Sequence, residues 1–185
     1  MPFTFERTAL DGLVLVKPKV FGDDRGFFME SFSRKEFESA GIKMEVVQIN
    51  HSRSVVGVLR GLHFQYPPYE QAKLVRCIRG EIVDVALDIR PSSASFGSHF
   101  SANLSDSNRF LLYVPRGFAH GFVVLSDIAE FEYAVDNLYA PDHEGGVIWN
   151  DPDLAIRWPV EKPILSEKDK KLPALRDIKD SLRQG

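Results

Sequence analysis

Short apolar runs, each cut off by Gly, Pro, Asn, Asp or Ser, recur along almost the whole chain, and many begin about a dozen residues apart. Segment 82–89, IVDVALDI, alternates with period two. Val83, Val85, Leu87 and Ile89 share one face, and Asp84 and Asp88 are on the other. Segment 129–136, AEFEYAVD, does the same, with Phe131, Tyr133 and Val135 opposed to Glu130, Glu132 and Asp136. VLVKPKV, FFMESFS, MEVVQIN, VGVLRGLHF, AKLVRCIRG, FGSHFSANL, RFLLYV, HGFVVL, VIWN and LAIRW read as further strands, and before the tail only RKEFESAG (34–41) reads as helix. Many short strands with turns between them predict an all-β antiparallel jelly roll and exclude βαβ units.

A chain of 185 residues is long enough for one self-sufficient core, and no break in composition divides residues 1–165, so a single domain over 1–185 is expected. From about residue 166 the chain becomes highly charged. There Leu175, Ile178 and Leu182 recur at helical spacing after Pro173, which predicts a short C-terminal helix. Cys77 is the only cysteine, which rules out an internal disulfide and a zinc–thiolate centre and suits a reducing compartment. The 23 basic against 26 acidic residues give a net charge of −3, the opposite of a nucleic-acid binder's balance. No apolar run reaches membrane-spanning length, and the start, MPFTFERTALDG, has no basic-then-apolar signal pattern. The expectation is a cytoplasmic protein with neither a membrane nor a nucleic-acid partner.

Gly57, His63, Gln65 and Glu70, followed by Pro115, Gly117 and His120, resemble in order and spacing the two motifs with which cupin barrels bind metal. Gln65 stands where a second histidine ligand is usual, and a neutral amide oxygen is a poor ligand for such metals. His63, Glu70 and His120 alone make an incomplete set, so no metal or other cofactor is expected. A pocket offering His, Lys and Arg without a metal suits proton transfer beside a carbonyl. His63 suits the role of base, Lys73 can stabilise an enolate, and Tyr133, on the apolar face of its strand, can return a proton. Asp84, Asp169 and Glu144 are each candidates to orient the His63 ring. Arg60 and His63 differ by three, which an unbroken strand would send to opposite faces. A bulge at Gly61, or a place for Arg60 at the barrel rim, would bring them together.

GVLRGLHFQ, QAKLVRCIRGEIVDVALDIRPSS, VPRGFAHGF, EFEYAVDNLYAPDHEGGVIWNDPDLAIRWP, ILSEKD and the earlier FGDDRGFFMESF resemble, in order and spacing, the dTDP-4-dehydrorhamnose 3,5-epimerases. The resemblance runs from about residue 3 to 175. It implies a metal-free, dimeric cupin-type jelly roll that inverts C3 and C5 of dTDP-4-keto-6-deoxy-D-glucose in dTDP-L-rhamnose synthesis. Position by position it implies His63 as base, Asp169 as its orienter, Tyr133 as acid, and Lys73 with His120 at the enolate oxygen. Arg60 and Arg25 would clamp the diphosphate. Phe27 and Tyr139 would stack on thymine, and Glu30, Gln48, Asn50, Glu144 and Lys168 would complete the substrate shell. Arg25, Phe27 and Glu30 would be lent to the partner chain of a homodimer. Phe64, where the family often has Tyr, and the Gly145-Gly146 pair are departures. The competing readings are an epimerase inverting C3 alone, a ketoisomerase on the same kind of barrel, and a sugar-nucleotide-binding cupin without activity.

Overall fold

The computed structural model describes residues 1–183. Its strands are β1 (Phe3–Arg7), β2 (Val14–Pro18), β3 (Val20–Asp23), β4 (Gly26–Met29), β5 (Gln48–Val55), β6 (Leu59–Gln65), β7 (Lys73–Arg79), β8 (Glu81–Asp88), β9 (His99–Ser105), β10 (Leu111–Val114), β11 (Phe118–Val124), β12 (Ile128–Val135) and β13 (Glu144–Gly146). Two short helices, α1 (Arg34–Ser39) and α2 (Leu175–Ile178), lie outside the sheets. One antiparallel sheet runs β1-β2-β10-β7-β12-β5 and the other β13-β6-β11-β8-β9, while β3 and β4 pair only with each other. The sheets pack face to face as a jelly roll. Among the described residues no helix is long and apolar enough to cross a membrane.

Three apolar clusters hold this arrangement. Val75, Cys77, Leu112 and Phe131 of the first sheet meet Ile82, Ala86, Leu104 and Phe122 of the second between the layers. α1 covers the outside of the first sheet, where Phe37 is fully buried against Phe3, Val14, Val16 and Leu74. The C-terminal segment covers the outside of the second sheet, with Leu154, Leu175 and Ile178 on Leu62, Val85, Leu87 and Ile89. The apolar face of β8 is thus turned away from the sandwich interior. Asp84, Ala86 and Asp88 face inward instead, and both aspartates are fully buried.

Two expected strands do not form. VIWN and LAIRW lie as irregular cover on the second sheet, with Val147 and Leu154 buried. Pro152 and Pro159 have no N–H for a ladder, and Ala155 takes a left-handed backbone (φ 50°), so the segment bends instead of pairing. Asp151 fastens it, accepting the N–H of Leu175 at 2.7 Å. FFMESFS leaves the strand state at Met29, and Phe32 turns down onto Phe37 (ring centroids 4.9 Å apart). β1, β3 beyond Val20, the second half of β5 (HSRSV) and β13 are not among the expected strands.

Candidate active site

Arg60 and His63 reach one cavity because β6 carries one more residue than its neighbour. His63 lies opposite His120 of β11, but Arg60 lies opposite Phe122, so three steps along β6 match two along β11. Gly61 occupies the bulge at φ 120°, and a Cβ there would come within 2.6 Å of Gly121 Cα. Only glycine fits both the angle and the gap.

The cavity, about 450 Å³, opens between the two sheets. The second sheet contributes Arg60, His63 and His120, and the first contributes Lys73, Tyr133 and Asn50. Tyr133 is paired with Val75 and Asn50, and Lys73 is the diagonal neighbour of Tyr133 on the inward face. The segment 164–169 closes one side. It is anchored where Ile164 donates to Gly57 O (2.8 Å) and accepts from Leu59 N–H (3.0 Å), and it brings Lys168 and Asp169 to the cavity wall.

Of the three candidate orienters, Asp169 holds His63, with its Oδ1 2.7 Å from Nε2. Asp84 instead grips His120, whose Nε2 is 2.9 Å from both carboxylate oxygens. Burial works to raise the pKa of Asp169. The hydrogen bond and charge of His63, with Ser166 and the Gly61 N–H, overcome it and keep the carboxylate below its ordinary range. With the Nε2 proton held there, a neutral His63 offers the lone pair of Nδ1. Burial raises the Tyr133 pKa, Glu144 adds to the rise and Arg60 opposes it, so the phenol keeps its proton at neutral pH. Burial brings Lys73 down to about 8 against the pull of Asp84 and Glu144, and its Nζ lies 3.4 Å from the His63 carbonyl.

At the rim, Glu144 pairs with Lys168 and accepts the Tyr139 hydroxyl at 2.7 Å. Burial works against its charge, but these two partners outweigh it and hold its pKa below the usual value. Gln48 donates to Asn50 Oδ1 at 2.7 Å one pleat further along β5. Two hydroxyls to which the sequence gives no role hold charged groups: Ser54 Oγ accepts from Arg60 Nε (3.0 Å), and Ser166 Oγ accepts the Asp169 N–H (3.0 Å). Gly145 and Gly146 let β13 lie close on β6, since a Cβ on Gly145 would come within 2.5 Å of the Phe64 ring.

Arg25, Phe27 and Glu30 lie outside the cavity of their own chain. Arg25 is exposed in the β3–β4 turn and bound to Asp23 at 2.5 Å, and Phe27 lies under the Arg109 guanidinium at 4.1 Å. Glu70 lines a different, smaller cavity, away from His63. Among the described residues no group of three or more His, Cys, Asp or Glu could hold a metal ion.

Residues 7–177 match the family model described as dTDP-4-dehydrorhamnose 3,5-epimerase. A protein of that name from Shigella flexneri is 56% identical over 164 residues, covering 88% of this chain and 91% of the relative. The structure of the Legionella pneumophila 3,5-epimerase, in complex with dTDP-4-keto-L-rhamnose, superposes with a TM-score of 0.94 at 44% identity, covering 97% of this chain and 96% of that one. A 3'-monoepimerase from Streptomyces bikiniensis, in complex with dTDP-quinovose, is more distant: TM-score 0.89, 33% identity, 94% and 89% covered. A match over nearly the whole length, on a sandwich whose sheets turn His63 and Tyr133 into one cavity where the 164–169 segment brings Asp169 onto the histidine, places this chain in the dTDP-4-dehydrorhamnose 3,5-epimerase family.

Proposed function

We propose that the protein inverts C3 and C5 of dTDP-4-dehydro-6-deoxy-D-glucose, giving dTDP-4-dehydro-L-rhamnose. The observation that carries this is that His63 and Tyr133 face one cavity from opposite sheets. His63 Nδ1 takes the proton beside the C4 carbonyl, and the electron pair moves to the carbonyl oxygen as an enolate. Lys73 and His120 meet that oxygen as donors. Because His120 Nε2 is committed to Asp84, the ring donates from Nδ1 only when it carries both protons. Tyr133 then delivers its proton from the other face, so the carbon is inverted. Each inversion leaves His63 protonated and Tyr133 ionised, and both must re-equilibrate with solvent before the next carbon reacts.

Arg60 takes the diphosphate through its paired N–H donors. Tyr139 is a platform for the thymine, with Gln48, Asn50, Glu144 and Lys168 around the substrate. The rest of each site comes from a second copy. The β3–β4 hairpin pairs with neither sheet and exposes Phe21, Phe27 and Phe28, while Ile49 and Val55 are bare on the outside of β5. Packing two copies across a two-fold axis would cover these and carry Arg25, Phe27 and Glu30 into the partner's cavity. No metal takes part: the Gln65 amide is spent on backbone groups, and Glu70 is elsewhere.

The test is incubation with the ketosugar nucleotide in deuterated water containing a strong chelator. Deuterium at both C3 and C5 of an inverted product is the expected result. Label at C3 alone would mark a single epimerisation, a shifted carbonyl would mark a ketoisomerase, and binding without exchange would mark a sugar-nucleotide receptor.

A further inference from the structure

Two irregular loops, 66–72 and 136–143, are tied together by side-chain amides. Gln65, the last residue of β6, is buried two residues beyond His63. Its Nε2 donates to the carbonyls of Tyr69 (2.5 Å) and Leu138 (3.2 Å), and its Oε1 accepts the N–H of Ala140 (2.8 Å). Gln71 donates to Asn137 O at 2.8 Å, and Asn137 Nδ2 reaches back to the carbonyls of Pro68 (3.3 Å) and Glu70 (3.4 Å). Gln65 therefore grips the chain on either side of Tyr139, at Leu138 and at Ala140. Tyr139 in turn donates to Glu144, which pairs with Gln65 in the β6–β13 ladder.

We infer that Gln65 is a positioning residue for the nucleotide end of the site. It fixes where Tyr139 and Glu144 stand relative to His63, and hence how tightly the thymidine portion is held. The inference rests on the reading of Tyr139 as the nucleobase platform. Its physical basis is the donor count. A carboxamide supplies two donors and an acceptor from one planar group, which is what two carbonyls and one N–H require. A carboxylate would set two acceptors against two carbonyls, and an apolar side chain would take from the Tyr69 and Leu138 carbonyls and the Ala140 N–H the partner that ties the two loops together. The position that departs from the metal-binding pattern thus has work of its own in this barrel.

The experiment measures dTDP binding by calorimetry, and kcat and KM for the ketosugar nucleotide, on full-length wild type, Gln65→Leu, Gln65→Glu, Tyr139→Ala and the Gln65→Leu/Tyr139→Ala double variant. Gln65→Leu is expected to weaken dTDP binding and raise KM about tenfold, with kcat nearly unchanged. The double variant should bind no worse than Tyr139→Ala, because both changes remove the same platform. Gln65→Glu should show the same defect at pH 8 and recover part of it as pH falls, since a protonated carboxyl donates again. It also serves if the leucine variant does not fold. Wild-type dTDP affinity in both Gln65 variants beside a weakened Tyr139→Ala overturns the inference alone, as do a fall in kcat at constant KM or additive losses in the double variant. Undiminished affinity in Tyr139→Ala overturns the platform reading and the inference with it.

Discussion

His63 and Tyr133 divide the proposed reaction between abstraction and return of a proton, so substitutions at the two should leave different isotopic records. His63→Asn is expected to lose both exchange and product, a drop on the order of 10²–10⁴-fold for a removed general base. Tyr133→Phe keeps the ring that packs 5.7 Å from Phe131 and removes only the hydroxyl. It should retain deuterium exchange while inversion collapses. Mass spectrometry and proton spectra of recovered substrate and product separate the two. Wild-type inversion by Tyr133→Phe would sink the assignment. Lys73 makes a second, independent claim. Its pKa is about 8 in the fold against an ordinary 10.5, so both folded and unfolded chains carry the charge below pH 8 and the fold bears the cost of burying it. Between about 8 and 10.5 the unfolded chain binds a proton the native state has released, and this group's contribution to stability rises with pH. Lys73→Met should therefore stabilise the protein at pH 7, by roughly 1–3 kcal/mol in denaturant unfolding, while turnover is lost. In the wild type, kcat should fall above pH 8 as the ammonium at the enolate loses its charge.

β6 and β11 lie so close at the bulge that Gly61 and Gly121 are each other's neighbours, with a Cβ on Gly121 falling 2.6 Å from Arg60 O. Gly61→Ala should cost at least about 2 kcal/mol, from the positive φ and the overlap together. Because His63 is two residues on, kcat should drop with the melting temperature. A variant with normal kcat would show that the bulge does not set the base. Much of this architecture is legible as alternation. β8 and β12 follow from apolar alternation and the tail helix from the helical spacing of Leu175 and Ile178, although that helix ends at Ile178 and Leu182 falls in a separate turn. β5 defeats the same logic for a reason tied to its role. Asn50 and Ser52 line the cavity and Ser54 holds Arg60, while Ile49 and Val55 are exposed, so its pattern is that of a core strand turned inside out. VIWN and LAIRW have strand composition, but a cover segment needs only apolar side chains and has no ladder to complete. The pairing of Asp169 with His63 joins residues 106 apart, and no spacing rule discloses it; only likeness to a family singled it out from Asp84 and Glu144.

For the whole molecule, the decisive expectation is that a site is complete only between two chains. Equal amounts of Arg25→Ala and His63→Asn chains, each nearly inactive alone, should regain activity when unfolded and refolded together. In the mixed dimer one site collects both defects and the other has none. Absence of rescue, with mixed dimers verified by native mass spectrometry, would mean that the hairpin serves its own chain. The extra residue in β6 also makes the reactive geometry a matter of counting. A surface loop absorbs an added residue at a small closure cost, but one more or one fewer residue between Leu59 and His63 would change which side chain the substrate meets. In descendants of this chain, insertions and deletions between Leu59 and His63 should therefore be purged even where they leave the fold sound.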